Sequence, residues 1–125
     1  MRRALAAAAV LALVLSVLPA AAQDAVKADP KHYKVVFEND QVRVLHITYG
    51  PHEKSVMHAH PPNVAVFLTD SVIRFAMPDG TSQDVPVKAH STQWDPGGMH
   101  LPENTGEKPF ELMLVELKGK APAAK

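Results

Sequence analysis

Hydrophobic and polar residues alternate along the chain from Tyr33 onwards. In "QVRVLHITY" (41–49) every second side chain shares a face, so His46 lies with the valines on one face and Leu45 and Ile47 lie on the other. A period of two predicts a half-buried β-strand, although the pattern alone does not decide which face is buried. We expect His46 to face solvent or a sheet edge.

Further short apolar runs predict strands separated by turns. The runs are YKVVFEN (33–39), VAVFL (64–68), VIRFAM (72–77), SQDVPV (82–87), STQW (91–94) and FELMLVELK (110–118). Turn residues stand between them at ND (39–40), PDG (78–80), DPGG (95–98) and NTGEKP (104–109). Because SQDVPV contains Pro86, we expect it at a sheet edge. The core candidates are Phe67, Phe75, Phe110, Met113 and the single tryptophan, Trp94.

These roughly seven or eight strands, with no convincing helical pattern after the first 22 residues, predict an all-β fold. Long apolar strands need both a core and a closed edge, which a jelly-roll barrel provides. We expect the folded domain to span 33–118. Residues 23–32 are predicted to be a flexible lead-in and 119–125 a flexible tail.

The first 22 residues have the pattern of a secretory signal peptide. Arg2 and Arg3 precede an apolar run, Ala4–Leu18, and small residues follow Pro19. The run is shorter than the about 20 residues that span a bilayer. We therefore predict cleavage near Ala22 and an exported protein, periplasmic or secreted, with no membrane attachment after cleavage.

Composition narrows the classes of partner. The 13 basic residues include Arg2 and Arg3, so the predicted mature chain has two more acidic than basic residues. Without a basic surface, nucleic acid is not expected as a partner. The chain has no cysteine, which excludes disulfides although an exported protein could form them.

Three histidines form the candidate chemistry. His58 and His60 stand two residues apart in "MHAH", so on a strand their imidazoles point the same way. His100 follows the DPGG loop, whose glycines allow a close backbone approach. A strand carrying His100 could pair with the MHAH strand. Neutral imidazole is the commonest metal ligand, and three would suffice for a site with open positions.

In this combination of motifs the chain resembles the cupin superfamily, over roughly 42–118. Gly50, His58 and His60 match the first cupin motif, with a longer gap after the glycine. The second motif, P-x-G-x-x-H-x3-N, is matched by Pro96, Gly98, His100 and Asn104, with one residue fewer between glycine and histidine. The resemblance implies a double-stranded β-helix, or jelly-roll barrel, with His58, His60 and His100 as metal ligands.

One position departs from the family pattern. The glutamate of the first cupin motif would fall at Val64 or Ala65, and neither side chain binds a metal. Asn63 is nearby but is a weak ligand. The implied site is three imidazoles plus water or substrate, holding Fe, Mn or Zn.

The resemblance implies metal-dependent chemistry on a small organic molecule, most concretely by a dioxygenase. Two alternatives stay open: a module that binds a small molecule or metal without turnover, and a barrel that has lost its metal. Because open sheet edges risk aggregation, we also expect a homodimer.

Other polar residues attract simpler interpretations. We expect His32, His52 and His90 to be exposed in loops. Gln93 and Glu103 flank the DPGG loop and could contact a ligand, although Glu103 is interpreted as a solvated carboxylate. Trp94 could cap a pocket, but burial in the core is the preferred interpretation.

Overall fold

The computed structural model describes residues 23–119, and within them the predicted all-β architecture is confirmed. One short helix, α1, spans Ala25–Ala28. The strands are β1 (Tyr33–Glu38), β2 (Val42–Tyr49), β3 (His58–His60), β4 (Asn63–Phe67), β5 (Ser71–Ala76), β6 (Ser82–Val87), β7 (Thr92–Asp95), β8 (Gly98–Asn104) and β9 (Phe110–Leu117). The predicted signal peptide, 1–22, lies outside the described residues. Within 23–119, no helix is long and apolar enough to span a bilayer.

The strands form two antiparallel sheets. One has the order β1-β2-β9-β4-β7 and the other the order β3-β8-β5-β6. Strands β2 and β9 pair along their full lengths and are adjacent inner strands of the larger sheet. Strand β6, which carries Pro86, lies at a sheet edge as predicted.

The core lies between the inner faces of the sheets. On β2 the buried face carries Leu45, Ile47 and Tyr49, so the side with His46 is the outer one. Phe67 and Phe110 are buried and Phe75 packs against them, as predicted. Facing apolar residues of this kind supply most of the stabilisation of a β-sandwich.

Two predicted core residues do not belong to it. Trp94 is 56% exposed. On the edge strand β7 its neighbour Gln93 contributes to the inner cavity instead, so adjacent side chains take opposite faces. Met113 lies opposite His46 on the outer side of β9 and is only half-buried. In both cases the face was decided by register, which apolar character alone does not reveal.

Residues 23–32, predicted to be a flexible lead-in, are instead packed on the barrel. Ala25 is completely buried, and Asp24 forms a parallel bridge with Ala59. This correction has a simple cause: the segment buries few apolar side chains and is held by polar contacts, which leave no hydrophobic periodicity to detect.

Gly97 sets the close approach of β8 to β3. Its φ is +94°, and a Cβ at this position would lie 2.9 Å from the carbonyl oxygen of His60. Both the backbone conformation and the lack of space require glycine here. The DPGG loop therefore lets the chain turn tightly against the end of the MHAH strand, as its sequence predicts.

Candidate metal centre

The strand pairing brings the three predicted histidines together. Strands β3 and β8 are antiparallel, with His58 directly opposite His100 and His60 opposite Gly98. Because side chains two residues apart share a face, His60 joins the pair on the inner side. One ligand atom from each histidine lies within 4.8 Å of the others.

The spacing of His58 and His60 suits a metal ion. Their Nε2 atoms are 3.1 Å apart. Two nitrogens at the usual 2.0–2.1 Å from one metal ion would be separated by about 2.9–3.4 Å. The ring of His100 lies at 5.0 Å from that of His58 and 5.2 Å from that of His60, centroid to centroid. One of its ring nitrogens lies within 4.8 Å of the ligand atoms of both.

The tautomer of His58 is set by its outer contacts. Its Nδ1 lies 2.8 Å from the carbonyl oxygen of Val56 and 3.3 Å from Ser55 Oγ. A carbonyl oxygen only accepts, so Nδ1 carries the proton. The lone pair of Nε2 then points into the cluster, in the form that ligates metals.

Glu116 sets the tautomer of His60 in the same way. Its Oε2 lies 3.1 Å from His60 Nδ1, and Arg43 Nε donates to its Oε1 at 2.8 Å. A carboxylate that accepts from Nδ1–H orients the ring and increases the basicity of Nε2. Two inward lone pairs 3.1 Å apart repel unless a cation or a proton lies between them, so this arrangement fits a metal ion.

His100 provides an independent test of fit. Its Nε2 is buried and has no hydrogen-bond partner among the described residues. Its ring instead stacks on Phe75, with centroids 5.1 Å apart. A buried polar atom without a partner is costly, and binding a cation would remove that cost.

Burial keeps His58 and His100 in their ligating form. Loss of solvation, reinforced by His60, lowers the pKa of His58 to about 4. The same causes, with His58 and His60 as neighbours, lower the pKa of His100 to about 3. At neutral pH both rings are therefore uncharged and able to bind a metal without first losing a proton.

These shifts predict an acid-sensitive fold in the absence of metal. Below pH 6.5, the ordinary pKa of histidine, His58 and His100 bind protons in the unfolded chain but stay unprotonated in the folded chain. The folded state therefore keeps its full free energy of unfolding above pH 6.5 and loses stability as the pH falls towards 4. At pH 4 the loss from His100 alone would be roughly 3 kcal/mol. Urea unfolding of chelator-treated protein between pH 7 and 4 measures it. An H58Q/H100F variant with the same pH slope would contradict this assignment.

A cavity of about 260 Å³ lies between the sheets beside the cluster. His60 and His100 form part of its wall, and most of the rest is apolar, including Ile73, Phe75 and Phe110. Polar groups are few: Tyr33, Tyr49, Asn63, Gln83, Gln93 and Asp95. An apolar cavity with a few polar groups is typical of a small-molecule site.

The remaining histidines lie outside the cluster. His52 and His90 are exposed, as predicted, and His46 is on the outer face, where Glu111 binds it at 2.8 Å. The prediction for His32 was wrong, since it is only 5% exposed. It is held between Asp29 at 2.6 Å and Glu53 at 2.8 Å and stacks on Tyr49. Contacts from distant segments buried it.

Of the polar residues that flank the DPGG loop, only some lie near the histidine cluster. Gln93 lines the cavity, as one interpretation allowed. Glu103 is half-buried on β8 and does not line it. Asn104 is fully buried and donates to the carbonyl oxygens of Gly50 and Lys108 at 2.9 and 2.8 Å. It therefore holds the loop after β8 and lies outside the histidine cluster.

Glu116 is the residue that sequence analysis missed. Val64 faces outward and Ala65 lines the cavity, so neither supplies the carboxylate of the family pattern. Glu116 enters from β9, where it pairs with Asn63. A signal was available: Phe110, Leu112, Leu114 and Glu116 share one face, and a carboxylate ending an apolar face marks a buried polar role.

Comparison with known proteins identifies the fold of the chain and does not identify an activity. No protein-family model matches the sequence, and no curated protein matches it. The chain is similar to the crystal structure of a cupin domain from Bordetella pertussis Tohama I, at 22% identity and a TM-score of 0.66. That match covers 70% of this chain and 92% of the other.

Two further structures support the same fold. An RmlC-like cupin family protein with a double-stranded β-helix fold, from Methanocaldococcus jannaschii, matches at 14% identity and a TM-score of 0.57, covering 69% of this chain and 78% of the other. An uncharacterised protein with a double-stranded β-helix domain, from Klebsiella pneumoniae, matches at 18% identity and a TM-score of 0.56. That match covers 72% of this chain and 78% of the other. At the level of the fold, the predicted resemblance is confirmed.

Proposed function

Because this chain has the cupin fold, we propose that His58, His60 and His100 hold one divalent cation, Fe, Mn or Zn, that acts on a small organic molecule. The observation that carries the proposal is the convergence of three imidazoles: His58 and His60 are buried, and half-buried His100 has a buried Nε2 without a hydrogen-bond partner among the described residues. When bound, such an ion retains its +2 charge and supplies Lewis acidity and, for iron, redox chemistry.

The cavity limits the substrate by size and charge. Within 23–119, no lysine or arginine lines it, and Asp95 is its one charged side chain apart from the histidines. Apolar residues surround the rest of the space, which at about 260 Å³ holds a small molecule. We therefore propose a substrate with an apolar body and one or two oxygen donors directed towards His60 and His100.

The most concrete reaction is oxygen-dependent cleavage, as in a dioxygenase. The chain's own contribution is to hold three imidazole ligand atoms within 4.8 Å of one another and to surround the substrate with apolar side chains. Oxygen uptake by the iron-loaded protein, measured on a panel of catechols and enolisable ketones sized to the cavity, tests this reaction. Uptake that needs both iron and substrate supports it. Metal-loaded protein that binds panel members without consuming oxygen would instead support the binding module.

Filling the cavity should separate the substrate site from the metal site. Ala65 lines the cavity on β4, and its neighbour Val66 faces outward. An A65F variant should bind metal as the wild type does and should lose at least about tenfold in small-molecule affinity, because the ring occupies the space. Calorimetric titration measures both. V66F is the matched control, and equal ligand affinity in the two variants would argue against this cavity as the substrate site.

We also propose that the protein forms a homodimer through β1. This strand is a sheet edge, and Val35, Val36 and Phe37 are 43%, 53% and 54% exposed. Pairing with a second copy would cover both the open edge and the apolar side chains. Sedimentation equilibrium should give twice the chain mass for the wild type and for the control V72K. F37K should shift the equilibrium to monomer, and an unchanged dimer would contradict this interface.

Export remains the proposal for localisation, resting on the leader pattern of residues 1–22. Mass spectrometry of the protein expressed at full length in a Gram-negative host tests it. Recovery from the periplasm with Gln23 as the first residue supports export. Recovery from the cytoplasm with the leader intact would refute it.

A further inference from the structure

The N-terminal segment (23–32) crosses the outer side of the histidine cluster. The carbonyl oxygen of Gln23 accepts a hydrogen bond from the backbone of Ala59 at 2.8 Å. Ala59 is the residue between His58 and His60, so the segment is attached to the backbone that carries both side chains. Two separate chains of polar contacts then run from the segment to the two rings.

The first chain of contacts leads from Asp24 to His60. Both oxygens of Asp24 accept from the guanidinium of Arg43, one of them at 3.3 Å from Nη1. Arg43 Nη2 also lies 2.7 Å from Glu116 Oε1, and Glu116 binds His60. One guanidinium thus joins the N-terminal segment to the carboxylate that orients a metal ligand, in a geometry that suits a planar, multidentate donor.

The second chain leads from Asp29 to His58. The hydroxyl of Ser55 donates to Asp29 Oδ2 at 2.6 Å, which leaves the oxygen of Ser55 free to accept from His58 Nδ1 at 3.3 Å. All three residues are buried. Burial raises the pKa of Asp29, but hydrogen bonds from Ser55 and His32 outweigh it, so the net pKa is lowered and the carboxylate stays charged.

We propose that Asp24 and Asp29 are positioning residues, through which the N-terminal segment holds His60 and His58 in their metal-binding orientations. This inference rests on the proposed metal site. It gives the segment a role beyond covering the barrel: the affinity of the site for metal depends on residues more than 20 positions before the first ligand. Outer contacts of metal ligands typically contribute 10–100-fold to affinity.

Four single variants test the inference by zinc affinity, measured against a competing chelator. D24N interrupts the first chain and S55A the second. D40N, in an exposed turn, and S91A, whose hydroxyl contacts only the backbone of Lys88, are the matched controls. D24N should weaken zinc binding about tenfold and S55A several-fold, while both controls stay within about twofold of the wild type. D24E should recover part of the loss.

Two further readouts separate positioning from general stabilisation. Because the two chains of contacts meet only at the paired rings of His58 and His60, the double variant D24N/S55A should bind zinc more weakly than either single variant. The visible spectrum of cobalt-substituted D24N should also differ from that of the wild type, since a reoriented ligand changes the coordination geometry. A D24N that melts earlier, yet keeps wild-type zinc affinity and cobalt spectrum, would overturn the inference.

The two proposals fail in distinguishable ways. If the wild type binds zinc and D24N and S55A bind it as the controls do, the positioning role is wrong and the metal site stands. If the wild type takes up no zinc, cobalt, manganese or iron, the metal site is wrong and the positioning inference fails with it.

Discussion

Replacing His100 with phenylalanine should abolish metal binding and leave the fold intact. Phenylalanine keeps the stacking on Phe75 and removes the one buried side-chain nitrogen that lacks a partner among the described residues. The metal-free H100F protein should therefore be at least as stable as the wild type. Its metal affinity should fall by about 1000-fold or more, beyond the 10–100-fold typical of outer contacts.

Elemental analysis and chelator competition measure the metal content and the metal affinity. Thermal unfolding of the metal-free proteins measures their stability. H58A should lose metal to the same degree but at a cost in stability, because His58 is completely buried and packs against Tyr33. H46A is the control, since His46 lies on the outer face. Metal retained by H100F at wild-type affinity would exclude His100 as a ligand.

Replacing Glu116 with leucine should destabilise the protein by about 3–5 kcal/mol, the usual cost of removing one partner from a buried ionic contact. Glu116 is 1% exposed and holds both Arg43 and His60. Leucine would leave the Nδ1–H of His60 without an acceptor. Arg43 would keep only its contact with Asp24.

The control for this prediction lies on the same strand. Glu111 binds His46 on the outer face and its side chain is 44% exposed, so E111L should cost less than about 1 kcal/mol. Denaturant unfolding of both metal-free variants gives the comparison. Equal stabilities for E116L and E111L would show that the contacts of Glu116 contribute no more than an exposed pair.

Local pattern was sufficient to predict most of the strands and the histidine cluster. The period of two in β2 and the H-x-H spacing of β3 are properties of adjacent residues, so they are visible in sequence. The position of His100 opposite His58 also followed from the chain, because DPGG both turns the backbone and allows the close approach seen at Gly97. The fold and the metal-ligand candidates could therefore be inferred before any coordinates.

What the sequence concealed depends on contacts between distant segments. Trp94 is as apolar as any core residue, but the register of an edge strand turned it outward. His32 and Asp29 are polar residues in a segment without periodicity, and they became buried only because Glu53, Ser55 and Tyr49 lie beside them. The alternation along β9 indicates that Glu116 faces inward, but it does not reveal that its partner is His60, 56 positions away. No local pattern encodes such pairings.

X-ray absorption spectroscopy of the purified protein, loaded with one equivalent of zinc, tests the central claim most directly. Three imidazole nitrogens at about 2.0–2.1 Å, with the remaining positions taken by oxygen donors, are expected for the wild type. In H100F the same analysis should lose one imidazole or show no bound zinc. A wild-type spectrum with fewer than three imidazoles, or one that H100F leaves unchanged, would contradict the proposed site.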